Sequence, residues 1–172
     1  IDKTLNVINP MDVKIAPSGQ QAYVSDLCGG LAVISLTNWS VVKTIDLAPG
    51  YLNTYRVTNK CQTAVRPTAL DVNPSSSTAY VLDVTSGVVS RVNVDSGAVS
   101  SVTVGGSPRR IAMNADGSKA FIAFSDLSQV AVVDLRTFAA TSPILTDAPA
   151  VDLVAYRDGT IYGAFDKQQS DG

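Results

Sequence analysis

Four prolines set in register, Pro10, Pro67, Pro108 and Pro149, divide the chain into units that repeat one pattern. Behind each comes a turn, then an aromatic residue thirteen positions on, then a β-rich run. The aromatics are Tyr23, Tyr80, Phe121 and Tyr162, each preceded by a small or aliphatic residue: Ala22, Ala79, Ala120 and Ile161. A repeat of this length constrains the fold more than composition does, because each unit must bury its apolar face against the next. The last two full periods are 41 residues and the first is 57, so about 16 extra residues sit inside the first unit.

Within 67–107, four short apolar runs alternate with turn-formers. The runs are Ala69 to Val72, Ala79 to Leu82, Val88 to Val94, and Ala98 to Val104. Between them lie Asn73-Pro74-Ser75-Ser76-Ser77, Thr85-Ser86-Gly87 and Asp95-Ser96-Gly97, the residue types that tight turns need. The spacing predicts a four-stranded antiparallel meander in each unit. Ala79-Tyr80-Val81-Leu82 is apolar throughout, as expected of a strand covered on both faces. Four-stranded sheets at this period are the signature of an all-β fold, the β-propeller, whose blades pack face to face. An immunoglobulin-like sandwich would not repeat one aromatic at one offset.

The units also resemble the YVTN family of β-propeller repeats. Its turn appears as Ala16-Pro17-Ser18-Gly19, Ala115-Asp116-Gly117 and Arg157-Asp158-Gly159, and its tetrad as Tyr23-Val24-Ser25-Asp26 and Tyr80-Val81-Leu82-Asp83. Its later strands appear as Val130-Ala131-Val132-Val133-Asp134 and Thr44-Ile45-Asp46-Leu47. Phe121-Ile122-Ala123-Phe124 and Tyr162-Gly163-Ala164-Phe165 have drifted from the tetrad. The resemblance implies a propeller of bacterial or archaeal surface or periplasmic type, related to lactonases and redox subunits, and it brings no catalytic motif.

The expected organisation is one propeller: 1–9 the outer strand of a preceding blade, 10–66 a blade with an insertion at 51–66, then blades at 67–107 and 108–148. An incomplete blade occupies 149–172. Lys3-Thr4-Leu5-Asn6-Val7 matches Lys43-Thr44-Ile45-Asp46-Leu47, and both ends cut a repeat, so the chain is expected to be part of a propeller of six to eight blades.

A net charge of −2 with no Lys/Arg cluster gives no footprint for nucleic acid or anionic membrane. No unbroken apolar stretch reaches the length of a membrane span, and Ile1 to Pro10 lacks the basic head and apolar run of a signal peptide. Low charge with abundant Ser, Thr, Ala and Val leans towards an extracytoplasmic protein. With no histidine in 172 residues, there is no Ser/His/Asp or Cys/His set and no histidine metal ligand. No cofactor or metal is expected.

Strand order places the second-to-third hairpins and the connections between units on one rim, here called upper, together with the insertion. The other rim receives short turns such as Thr37-Asn38-Trp39-Ser40, with Trp39 expected to pack on its own hairpin. Function on a rigid scaffold concentrates in elaborated loops. Cys28, in the first second-to-third hairpin, and Cys61, in the insertion, converge on the upper rim, where a disulfide is the natural reading and two free thiols the alternative. Asp26 and Asp83 share one repeat position there, with Asp126 near. They read as turn-formers ahead of a carboxylate ring or calcium site. Arg66, Arg109 and Arg110 flank the prolines, and they either pair with those aspartates or receive an anion or partner. Tyr51 and Tyr55 in the insertion add aromatic contact area. The leading expectation is therefore a non-catalytic module that binds a protein or glycan, or the remaining blades, through the upper rim. The alternative is a piece of a propeller enzyme or redox subunit whose catalytic residues lie elsewhere.

Overall fold

The computed structural model describes residues 4–48, 61, 66–156 and 158–165. These residues are all β, turn and coil; no helix occurs among them. The first unit holds β1 (Pro10–Ile15), β2 (Gln21–Asp26), β3 (Gly30–Ser35) and β4 (Ser40–Asp46). The second holds β5 (Pro67–Val72), β6 (Thr78–Asp83), β7 (Val88–Asn93) and β8 (Val99–Thr103). Each is an antiparallel meander in chain order. The third unit has β9 (Pro108–Met113), β10 (Lys119–Phe124) and β11 (Gln129–Asp134). Its outer strand is split into β12 (Ala139–Ala140) and β13 (Ile144–Leu145), both paired with β11. Pro143 lies in the gap; it has no N–H to give a ladder, so the expected single strand becomes two short ones. The fourth unit shows β14 (Ala150–Ala155) and β15 (Ile161–Phe165).

The sheets stack as blades, with the strands that begin at or beside the prolines neighbouring one another: β1 beside β5, β5 beside β9, β9 beside β14. Three apolar layers fill the spaces between them. Tyr23, Leu31 and Val33 of the first blade meet Leu70, Val81 and Val92 of the second. Tyr80 and Leu82 meet Ile111, Ile122 and Phe124 of the third, and Phe121, Val130 and Val132 meet Leu153, Ala155 and Ile161 of the fourth. The recurring aromatic is therefore the residue that each blade presents to its successor. On the first blade's other face, Leu5 and Val7 pack against Ala22, Val24, Ala32 and Ile34. That matches the way Ile45 and Leu47 lie against the second blade.

All four innermost strands carry a bulge at the second residue: Met11, Thr68, Arg109 and Val151. An extra residue there leaves the ladder and re-aims the side chain. The third-to-fourth hairpins share another device, a left-handed residue just before the outer strand: Trp39 (φ 51°), Gly97 (φ 77°) and Phe138 (φ 52°). Only the second blade meets it with glycine, the residue that adopts this region without cost. Phe138 gains contacts in return: its ring lies 6.2 Å from that of Tyr80, and Arg91 sits 4.3 Å above it. Trp39 is half exposed.

Candidate functional site at the upper rim and inner groove

The upper rim is knitted by one bond repeated blade by blade. The residue preceding each proline offers its carbonyl to the N–H just beyond β2, β6 or β10: Asn9 to Leu27 (3.0 Å), Arg66 to Val84 (3.2 Å) and Ser107 to Ser125 (3.0 Å). Connection and hairpin thus stand side by side, as strand order requires.

The aspartates reinforce this seam. Asp26, 1% exposed, accepts the Cys28 and Gly30 N–H groups on Oδ1 at 2.8 and 3.1 Å. A Cβ on Gly30 would run into that carboxylate, so the position must be glycine for the turn to close over it. Asp83 accepts the N–H of Arg66 (2.9 Å) and of Thr85 (2.8 Å), and the Ser86 hydroxyl at 2.6 Å. In the third blade the equivalent position is Phe124, buried in the apolar layer. Asp126, two residues later, takes over by accepting the Ser107 N–H (2.8 Å) and hydroxyl (3.1 Å). These three carboxylates are turn and seam anchors. No group of three or more metal-ligating side chains is present among the described residues.

Burial raises the Asp26 carboxyl above its usual range; the two N–H donors oppose the shift and Asp46 adds to it. A carboxyl raised on folding contributes most below the unfolded value, near pH 4, and that contribution falls as pH rises through the folded value. Asp26→Asn keeps an oxygen for both N–H groups but cannot ionise. The stability difference, variant minus wild type, is therefore expected to move in the variant's favour as the pH is raised from about 3 to 7. Thermal unfolding across that range checks it, and a difference that moves the other way refutes it.

Cys28 and Cys61 are joined, with Cα atoms 4.6 Å apart and 33 positions of sequence between them. Asn9, at the start of the same seam, directs its side-chain N–H towards both sulfurs, at 3.7 and 3.4 Å. The bond pins the connection between β4 and β5 to the top of the first blade. Tyr51 and Tyr55, named from the sequence as contact residues, lie outside the described residues.

The arginines depart from the expected pairing. Arg66 meets Asp83 through its backbone N–H. Arg109 is exposed at the bulge, and Arg110 approaches Asp152 at 3.6 Å, with both side chains largely open to solvent. Oδ1 of Asp26 and of Asp83 accepts backbone N–H groups and Asp83 Oδ2 takes the Ser86 hydroxyl, and Arg110 approaches the next innermost strand instead. There Arg110 joins a groove of about 320 Å³ along the inner strands, whose polar lining includes Asp12, Lys14, Thr68 and Asp152. The Thr68 hydroxyl is buried without a hydrogen-bond partner among the described residues.

Two carboxylates of the inner strands were not singled out from the sequence. Asp12 accepts its neighbour Val13 N–H on Oδ1 (2.8 Å) and, on Oδ2, the Leu70 N–H of the second blade (2.9 Å). Asp71 does the same one blade on, taking Val72 N–H (2.9 Å) and Met113 N–H (3.0 Å). Burial raises the Asp71 carboxyl, against those two donors and Lys14. The signal was present: a carboxylate inside an otherwise apolar strand, as in Met11-Asp12-Val13 and Leu70-Asp71-Val72, requires a partner.

No family model and no curated protein matches the chain. Solved structures do. The chain is similar to Kuenenia stuttgartiensis hydrazine synthase, at 20% identity and a TM-score of 0.79, over 94% of this chain and 43% of that one. It is also similar to a protein of unknown function from Desulfotomaculum acetoxidans, at 18% identity and a TM-score of 0.69, over 91% of this chain and 49% of that one. The chain thus spans less than half the length of either, and both likenesses are of fold: β-propeller-like blades.

Proposed function

We propose that the chain belongs to an extracytoplasmic β-propeller of YVTN type with six to eight blades, and that it binds a protein or glycan partner through its upper rim without catalysing a reaction. The carrying observation is the Cys28–Cys61 bond, which fixes the connection between β4 and β5 against the first blade beside Asn9. A disulfide at this place fits an oxidising compartment. A tethered connection loses less freedom on binding than a free one, and it carries Tyr51 and Tyr55, a residue type enriched at binding hot spots together with arginine. No helix among the described residues is long and apolar enough to cross a membrane.

Screening the chain against a glycan array and a panel of extracytoplasmic proteins tests the reading. Any ligand found should bind at least about tenfold more weakly to Tyr55→Ala or Arg109→Ala, as expected of a hot-spot truncation. Asn38→Ala, on the opposite rim, should leave binding intact. A ligand that ignores both upper-rim changes, or that loses affinity through Asn38, refutes the assignment.

A further inference from the structure

Each blade is joined to its successor by two devices. The first is the aromatic: Tyr23 packs onto the second blade, Tyr80 onto the third, Phe121 onto the fourth. The second is a polar link between innermost strands: Asp12 to the Leu70 N–H, Asp71 to the Met113 N–H, Arg110 to Asp152. On the far side of the fourth blade both devices are in place with nothing opposite them among the described residues. Tyr162, the fourth aromatic of the series, is 59% exposed, and Val154 beside it is exposed as well. Asp152 takes the Leu153 N–H on Oδ1 at 2.9 Å, as Asp12 takes that of Val13. Its Oδ2, the oxygen with which Asp12 reaches the next blade, receives no hydrogen bond from a described residue. A groove of about 270 Å³, lined by Asp152, Val154 and Tyr162 among others, runs between them.

We propose that this face docks a further blade of the same repeat, one whose innermost strand offers Asp152 either a free backbone N–H at its fourth residue or a cation at its third, and that the chain's own first blade is excluded. The inference rests on the propeller reading above. Both accepted forms have precedents in the molecule. The second blade has Ala69 as its third residue, which leaves the Leu70 N–H free for Asp12. The Arg110–Asp152 approach shows a cation meeting a carboxylate across third residues. The first blade of a second copy offers neither, because its third residue is Asp12 and that carboxylate already occupies the Val13 N–H. Asp152 of one copy would face Asp12 of another with no donor between them, and juxtaposed like charges disfavour the contact.

Sedimentation of the full 172-residue chain tests this. Asp152→Arg converts the meeting of two carboxylates into an arginine–carboxylate pair, giving up the exposed Arg110 approach and the Leu153 N–H bond, so Asp152→Asn, which removes the charge and keeps an oxygen for that N–H, is measured beside it and should show part of the gain. Head-to-tail association of this variant is expected to be on the order of tenfold tighter than that of the wild type. Adding Tyr162→Lys should abolish the gain. Asp12→Asn, which removes the opposing charge and keeps an oxygen for the Leu70 N–H, should likewise show part of the gain while Asp152 is kept. If none of these variants associates more tightly than the wild type, but Tyr162→Lys still lowers association, the selection by charge is overturned and the docking face stands. If association ignores Tyr162 in every background, the face itself is overturned, while the upper-rim reading stands or falls separately on its ligand screen.

Discussion

Replacing Cys28 with alanine is expected to lower the stability of the chain by about 3–4 kcal/mol, the loop-closure entropy that a bond across 33 positions removes from the unfolded chain in the chain-entropy model. For a protein of this size that corresponds to a fall in Tm on the order of 10 °C. Cys61→Ala should cost nearly as much, because either change opens the same loop. Cys28 carries a further penalty from its burial, being 1% exposed where Cys61 is half-buried. Calorimetry of the two variants, and of the wild type with and without reductant, checks the expectation. Identical unfolding of reduced and oxidised protein would remove the staple as a source of stability, and with it the support for an ordered rim. Peptide mapping without reduction should recover the two cysteines as one linked pair.

The second large effect comes from two tyrosines at one repeat position. Tyr23 is 1% exposed between the first and second blades, packed among Leu31, Val33, Leu70 and Val81. Truncating so large a buried ring leaves a cavity that the surrounding sheets cannot fill, and Tyr23→Ala is expected to cost about 3–5 kcal/mol. Tyr162→Ala removes the same side chain from the same place in the pattern. On its open face the expected cost is within about 0.5 kcal/mol, that of an ordinary surface change. Chemical denaturation of the two variants gives the comparison directly. Equal costs would mean that Tyr162 is covered in solution, and a large cost at Tyr162 alone would contradict the layer order.

The blades were legible because the proline in every unit, and the aromatic in the first three, hold to one structural duty. The proline opens the innermost strand and the aromatic fills the layer behind it, so both survive while the tetrad around them drifts. Strand positions in the second unit follow from turn chemistry to within one or two residues: Ala98 to Val104 was expected, and Val99–Thr103 is found. The split outer strand of the third blade is not legible in the period, which implies a continuous strand, although Pro143 marks the break. At the rim, the convergence of the two cysteines could be read from strand order. The partners of the arginines could not, because Arg66 meets Asp83 through its main-chain N–H and Arg110 meets a carboxylate of the next blade. The inner carboxylates went unread for a related reason. Their partners are main-chain N–H groups of the neighbouring blade, which carry no residue signature.

Pro143 has a consequence beyond the strand it interrupts. A blade's outermost strand presents unpaired amides and carbonyls along its free side, and a long flat edge of that kind can template a strand from another molecule. In the third blade that edge amounts to Ala139–Ala140 and Ile144–Leu145, two residues each, with Thr141 turned inward to give both its N–H and its hydroxyl to the Val132 carbonyl at 2.8 and 3.2 Å. Leu145 is exposed at this border, yet the proline beside it denies an incoming chain a continuous register to copy. The interruption shortens the run of edge groups that another chain could pair with here. Pro143→Thr, by restoring a donor where the border is most apolar, would lengthen the template without touching the core.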